Sequence, residues 1–257
     1  MRLCLITLFT VFFSLCASLS AADDLDEITR IGIEYLQGDE RPQNIELGKE
    51  MLLRAAEGGH AHARYALGYI AYQEEDYETA RTWYGLAAKE GHISASGALG
   101  AMLYYGEGGT SDPHEAIEWL LIAAEEEISY AQYLLYEMYS GAERRIPYDL
   151  EKSLYWAERA ASNGDADAMV IVGKAYERDP RGSTKMDQAI QLFKKAAEQD
   201  HCEAYLSLGS TFLSDLYGAP QDKDQAAFYL NAAIHSENCG SYEKGSAREL
   251  LRQLDNA

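Results

Sequence analysis

The sequence predicts an all-α fold, an α-solenoid of about six helix-turn-helix repeats with a C-terminal capping helix. Three observations lead there. Ala-Ala pairs at 55–56, 87–88, 123–124, 160–161, 196–197 and 232–233 recur at spacings of 32, 36, 37, 36 and 36 residues. A second marker keeps step: Gly32, Gly68, Gly100, Gly173 and Gly209 each follow Ile, Leu or Val, and Tyr136 takes the equivalent place, at spacings of 36, 32, 36, 37 and 36. Around both markers apolar residues fall at helical period, and no unit carries a β-hairpin signal. A fixed period of this length marks units that cannot bury their apolar faces alone and must stack.

Taken in order, residues 1–22 have the layout of a secretory signal peptide. Arg2 gives a weakly positive start, Leu3 to Leu19 is largely apolar, and Ser20-Ala21-Ala22 offers small residues before Asp23-Asp24. The apolar run is shorter than the ~20 residues of a membrane-spanning helix. Cleavage near Ala22 is expected, with retention as an N-terminal anchor the alternative. Leu15 before Cys16 argues against a lipid-modified cysteine. Residues 23–236 then form the expected repeat array, and 237–257 the cap.

Each repeat holds two helices. The first carries stripes such as Ala63, Leu67, Ile70, Ala71 and Ala95, Leu99, Met102, Leu103. A glycine inside a helix costs about 1 kcal/mol against alanine, so its recurrence points to close approach of the partner helix. The second helix carries Ala80, Trp83, Tyr84, Ala87, Ala88 and its counterparts, bulky residues one turn before small ones. Asp76, Asp112, Asp149 and Asp222 stand as N-caps, with Pro113 at a first helical position. Gly58-Gly59, Gly91 and Asn163-Gly164 are stop signals. In 241–254, Ala247, Leu250, Leu251 and Leu254 form the apolar stripe of a last helix with no partner after it, which suits a cap.

The quoted stretches resemble the Sel-1-like repeat family. Ala131 to Gly141 and Tyr104-Tyr-Gly-Glu-Gly108, followed by Asp112, Ala116, Trp119, Ala123 and Ala124, are similar to its pattern, and the likeness covers about 27–236. Two departures stand out: the second unit has a shortened loop at 73–77, and Tyr136 replaces the helix glycine. The resemblance implies a right-handed, tetratricopeptide-like solenoid used mainly to hold other proteins, with first helices lining a concave wall.

Composition narrows the partner. Removing 1–22 takes only Arg2 from the charged residues and leaves 21 basic against 42 acidic, a net −21. That argues against nucleic acid, whose phosphates reward Lys and Arg, and against anionic lipid. It suits a protein partner, possibly basic, steered in by the field. After cleavage two cysteines remain, Cys202 at the start of a first helix and Cys239 after the following second helix. Antiparallel helices bring those points to one end, so a bridge is expected.

No catalytic signature is present: His114-Glu115 lacks a second His, and there is no G-x-S-x-G elbow or P-loop. Gly106-Glu107-Gly108-Gly109 lacks a preceding strand. His60, His92 and His201 share one repeat position, too far apart for one ion, and read as polar residues opening first helices. His60-Ala61-His62 is the lesser, metal reading. Glu125-Glu126-Glu127 reads as a solvated helix end or a contact for a basic partner. No cofactor and no metal are expected.

Tyrosine is the functional lead, with 19 in the chain. Tyr65, Tyr69, Tyr72, Tyr104 and Tyr133, with Glu137, lie on first-helix faces that partly diverge from the leucine stripe, and tyrosine is enriched at binding surfaces. The expectation is a periplasmic or secreted monomer, not an enzyme, acting as an adaptor that binds a protein in its groove. The alternative is an immunity protein sequestering a secreted toxin, a task the resemblance also implies. A third reading, a β-lactam-binding or hydrolysing enzyme, follows cysteine-rich relatives whose dense cysteine pattern this chain lacks.

Overall fold

The computed structural model describes residues 24–38, 40–178, 183–213 and 221–255. The leader at 1–22 lies outside them. Among the described residues the regular elements are α-helices: α1 (24–37), α2 (Ile45–Glu57), α3 (Ala61–Gln73), α4 (Tyr77–Lys89), α5 (Ile93–Tyr105), α6 (Pro113–Glu125), α7 (Ser129–Tyr139), α8 (Leu150–Ser162), α9 (Ala166–Glu177), α10 (Ser183–Glu198), α11 (Cys202–Leu213), α12 (Lys223–His235) and α13 (Ser241–Asp255). They fall into two compact units, one ending at Ala123 and the other beginning at Ala124. Helices adjacent in the chain pack in both, as antiparallel hairpins require.

Helix boundaries follow from side-chain chemistry. Asn44, Asp76, Asp149 and Asp222 each accept the N–H three residues on, and Asp112 accepts from both His114 and Glu115. Each cap satisfies a donor the helix leaves orphaned and is worth about 1 kcal/mol. Five second helices, α2, α4, α6, α8 and α10, end on a left-handed residue three places past the second alanine. Gly59, Gly91 and Gly164 fill that place, with φ of 92°, 86° and 94°, at no steric cost. Glu127 and Asp200 stand in the same register with φ of 63° and 59°.

The recurring glycines are gaps for knobs. A Cβ on Gly68 would lie 2.7 Å from the Tyr84 ring, on Gly100 2.7 Å from Leu120, on Gly173 2.5 Å from Phe193 and on Gly209 2.4 Å from Leu230. Those partners are buried: Tyr84 is 4% exposed, and Leu120, Phe193 and Leu230 are fully covered. Burying each such side chain contributes about 1.5–3 kcal/mol.

The sixth alanine marker needs correction. In α12 the buried positions are Ala226, Leu230 and Ala233, matching Ala189, Phe193 and Ala196 in α10. Ala233 therefore aligns with the first alanine of the other pairs, and Ala232, half-buried, lies outside the register. α13 packs on α11 and α12, where Ala247, Leu250 and Leu251 meet Leu230, Ala233 and Cys239.

Candidate functional site

In the first unit, α3 and α5 with their following turns carry a run of tyrosines. Tyr69 is 53% exposed and Tyr105 is 55% exposed. Tyr72 lies 5.2 Å from the Tyr77 ring, its hydroxyl 3.4 Å from the Glu107 carboxylate. Burial first, then Glu107, pushes the Tyr72 phenol up, so it stays a neutral donor. Tyr104 tilts against Tyr105 at 4.9 Å. Tyr65 turns inward instead: it stacks on His92 at 4.5 Å and sits 5.7 Å from Tyr84, whose phenol burial raises strongly. Of the four tyrosines expected here, Tyr69 is the open one, Tyr72 and Tyr104 are half-covered, and Tyr65 is largely spent on packing. Sequence reasoning missed Tyr105, although it adjoins Tyr104, and Tyr77, which opens α4.

In the second unit, Tyr133 and Glu137 occupy one face of α7. Tyr133 lies 5.8 Å from Tyr136, and burial followed by Glu137 raises its phenol. The half-buried Glu137 carboxyl is raised chiefly by burial and further by Asp167, while the Tyr133 hydroxyl offsets part of this. Among the described residues no basic side chain pairs with Glu137. A cation brought to this face would favour the ionised form of the Glu137 carboxyl.

The three repeat-register histidines are helix caps. Nδ1 of His60, His92 and His201 accepts the N–H of Ala63, Ala95 and Ala204 at 3.3, 3.2 and 3.3 Å. That use of the lone pair competes with metal ligation, and among the described residues no three His, Cys, Asp or Glu gather as a metal set. Glu127 is engaged in structure: its carboxylate accepts from Asn163, Arg159 and Gln132, which hold it below the usual carboxylate range. Cys202 and Cys239 are bonded, Cα atoms 5.4 Å apart, tying the start of α11 to the turn after α12. An open cleft of about 550 Å³ over α8–α10 is lined by Glu158, Val172, Tyr176, Lys185 and Leu192. Three of its lining residues engage one another, Tyr176 donating to Glu158 at 2.9 Å with Lys185 3.7 Å from the Tyr176 ring centroid.

Helix hairpins in series, joined by short turns and presenting aromatic first-helix faces, define an all-α repeat protein. The Sel1 repeat pattern matches residues 28–60, 61–92, 94–127, 129–165, 166–201 and 202–237, and the chain belongs to the Sel1 repeat family. Proteins of this family are protein-interaction scaffolds. An uncharacterized protein of Neisseria meningitidis serogroup B is 32% identical over 206 residues, 79% of this chain and 41% of its own length. A Sel1 repeat protein from Oxalobacter formigenes superposes with a TM-score of 0.73 at 28% identity, over 89% of this chain and 65% of that one. A protective antigen present in uropathogenic Escherichia coli strains shares the fold, with a TM-score of 0.74 at 21% identity over 90% of this chain and 61% of the antigen. The chain thus spans less than half of the Neisseria relative and under two-thirds of both structures. Among the described residues no helix is long and apolar enough to cross a membrane.

Proposed function

We propose that this protein is an exported adaptor that holds a protein partner on its first-helix tyrosine faces. The observation that carries the reading is the set Tyr69, Tyr72, Tyr104 and Tyr105 in the first unit, large amphipathic rings held on rigid helices with Tyr69 and Tyr105 more than half exposed. Such side chains give wide contact at low entropic cost. In the second unit Tyr133 and Glu137 offer a face of their own, and Glu137, which no basic side chain pairs with among the described residues, favours a basic contact. The leader-like residues 1–22 and the Cys202–Cys239 bond support export to an oxidising compartment. The net charge of −20 also favours a second reading, an immunity protein sequestering a basic toxin.

The test is capture from the cell envelope fraction with the parent and the Tyr69→Ala/Tyr133→Ala variant, read by mass spectrometry and by affinity for each captured protein. The expected result is partner affinity weakened about tenfold or more with the helical circular dichroism signal intact. Equal affinity sinks the tyrosine-face assignment. One dominant basic protein held tightly favours the immunity reading; several envelope proteins at modest affinity favour the adaptor.

A further inference from the structure

Three first helices, α3, α5 and α11, open on a histidine cap, and the caps differ in what they face. Because Nδ1 accepts a backbone N–H in each, a neutral ring must carry its proton on Nε2. His60 Nε2 meets Asp26 at 2.6 Å, His201 Nε2 meets Asp167 at 2.9 Å, and His92 Nε2 meets His62 Nδ1 at 3.2 Å. Asp26, His62 and Asp167 all stand six residues before a helix glycine, Gly32, Gly68 and Gly173, and so share one repeat register. Two of these junctions pair the cap with a carboxylate. The third pairs it with another imidazole.

The difference matters on acidification. A carboxylate keeps accepting from the ring through the range in which imidazoles titrate, and its attraction grows if the ring charges. A His62 that takes a proton on Nδ1 loses its lone pair and turns a donor toward the His92 donor. His92 has no escape by changing tautomer, because Ala95 N–H occupies its Nδ1. We propose that the His62–His92 pair makes the α3–α5 junction an acid-sensitive joint, closed at neutral pH and released as the imidazoles charge.

The neighbouring carboxylates are engaged elsewhere. From α3, Tyr65 stacks on His92 at 4.5 Å and lies 6.2 Å from His62. Before α3, His60 is 6.5 Å from His62, with its nitrogens already engaged by Asp26, Thr29 and Ala63. From α4, Tyr84 packs on Tyr65, and Glu90 is held by Arg64, which also donates to the Ala56 carbonyl. Among the described residues no carboxylate bonds either ring of the pair. Burial, then His62, holds the His92 imidazole below its ordinary value, only partly offset by its own backbone hydrogen bond. A base lowered on folding leaves the unfolded chain binding more protons, so stability is lost as pH falls below the unfolded value and through the folded one.

The experiment is amide hydrogen exchange by NMR on the whole protein, corrected for intrinsic rates, from about pH 7.5 to about pH 5.5, a span that brackets imidazole titration. Protection of the Ala95 amide is expected to fall about fivefold, the equivalent of losing one N-cap. The amide of Ala168, capped by the Asp165 carboxylate and not by an imidazole, should hold. His62→Gln, a neutral acceptor that does not titrate, should reduce the pH dependence at Ala95, and His62→Asn serves if that variant fails to fold. Unchanged Ala95 protection in the parent, or an equal fall in a folded variant, overturns the proposal.

Discussion

Gly68 and Gly85 belong to one helix hairpin and predict opposite outcomes for the same substitution. Both are helical, so replacing either with alanine removes a propensity penalty of about 1 kcal/mol. A Cβ at Gly85 meets nothing within 4 Å. Gly85→Ala should therefore stabilise by about 0.5–1 kcal/mol. A Cβ at Gly68 would sit 2.7, 2.8 and 3.1 Å from Cδ1, Cε1 and Cγ of Tyr84. That ring is flat and rigid, 4% exposed, and packed against Tyr65. It can move only by pushing α3 and α4 apart, and overpacking of this kind costs about 1–3 kcal/mol. With the propensity gain subtracted, Gly68→Ala should be destabilised by up to about 2 kcal/mol, and the two variants should fall on opposite sides of the parent. Equilibrium urea unfolding followed by circular dichroism measures this, with unchanged slope as the condition for comparing midpoints. If Gly68→Ala raises the midpoint as Gly85→Ala does, the recurring glycine has no packing role and the knob-and-gap account of the repeat is wrong.

Two further outcomes follow from caps and covalent ties. Asp149 is held below the usual carboxylate range by the Lys152 N–H it caps and then by the Lys152 charge; a lowered carboxyl gives stability present above the unfolded value and lost as pH falls through the folded one. Asparagine caps equally well and does not titrate, so Asp149→Asn should lose less of its urea midpoint than the parent between about pH 5 and about pH 2; parallel curves would contradict this. Reducing the Cys202–Cys239 bond opens a loop of sequence separation 37, which should lower stability by roughly 4 kcal/mol on the chain-entropy account. Thermal melts with and without reductant measure it, and identical melting temperatures with both thiols shown free would refute it.

Period, hairpins, aspartate caps and glycine gaps were legible in the sequence because each acts within one helix or between a helix and the next. What was not legible depends on partners one repeat away. His60, His92 and His201 read as polar openers; their Nε2 partners lie 34, 30 and 34 residues back. Glu127 read as part of a solvated acidic end or a contact for a partner, yet Arg159 and Asn163 reach it from 32 and 36 residues on. The same side chain stands where three other repeats have glycine, so its hydrogen bonds hold a left-handed backbone that costs a non-glycine residue roughly 1–3 kcal/mol. Asp200 repeats the device, accepting from Tyr205, Ser236 and Asn238. In α12 the doublet Ala232-Ala233 looked like the marker, but burial places Ala233 one position earlier in the repeat and puts Ile234 where the others have their second alanine.

Tyr136, the departure from the helix glycine, has an answer in the facing helix. Four positions before the second alanine of each pair stand Leu52, Tyr84, Leu120 and Phe193, the knobs that meet Gly32, Gly68, Gly100 and Gly173. In α8 that position is Ala157, fully buried, and Tyr136 packs on the cluster that contains it. The large residue and the small one have exchanged helices, so the hairpin keeps its interior filled with the bulk supplied from the opposite side. Cores tolerate such changes when total volume is conserved. Neither half of the exchange is acceptable alone: glycine at 136 opposite Ala157 would leave a void, and a leucine at 157 opposite Tyr136 would overpack. The coupling makes α7–α8 a variant of the same packing rule.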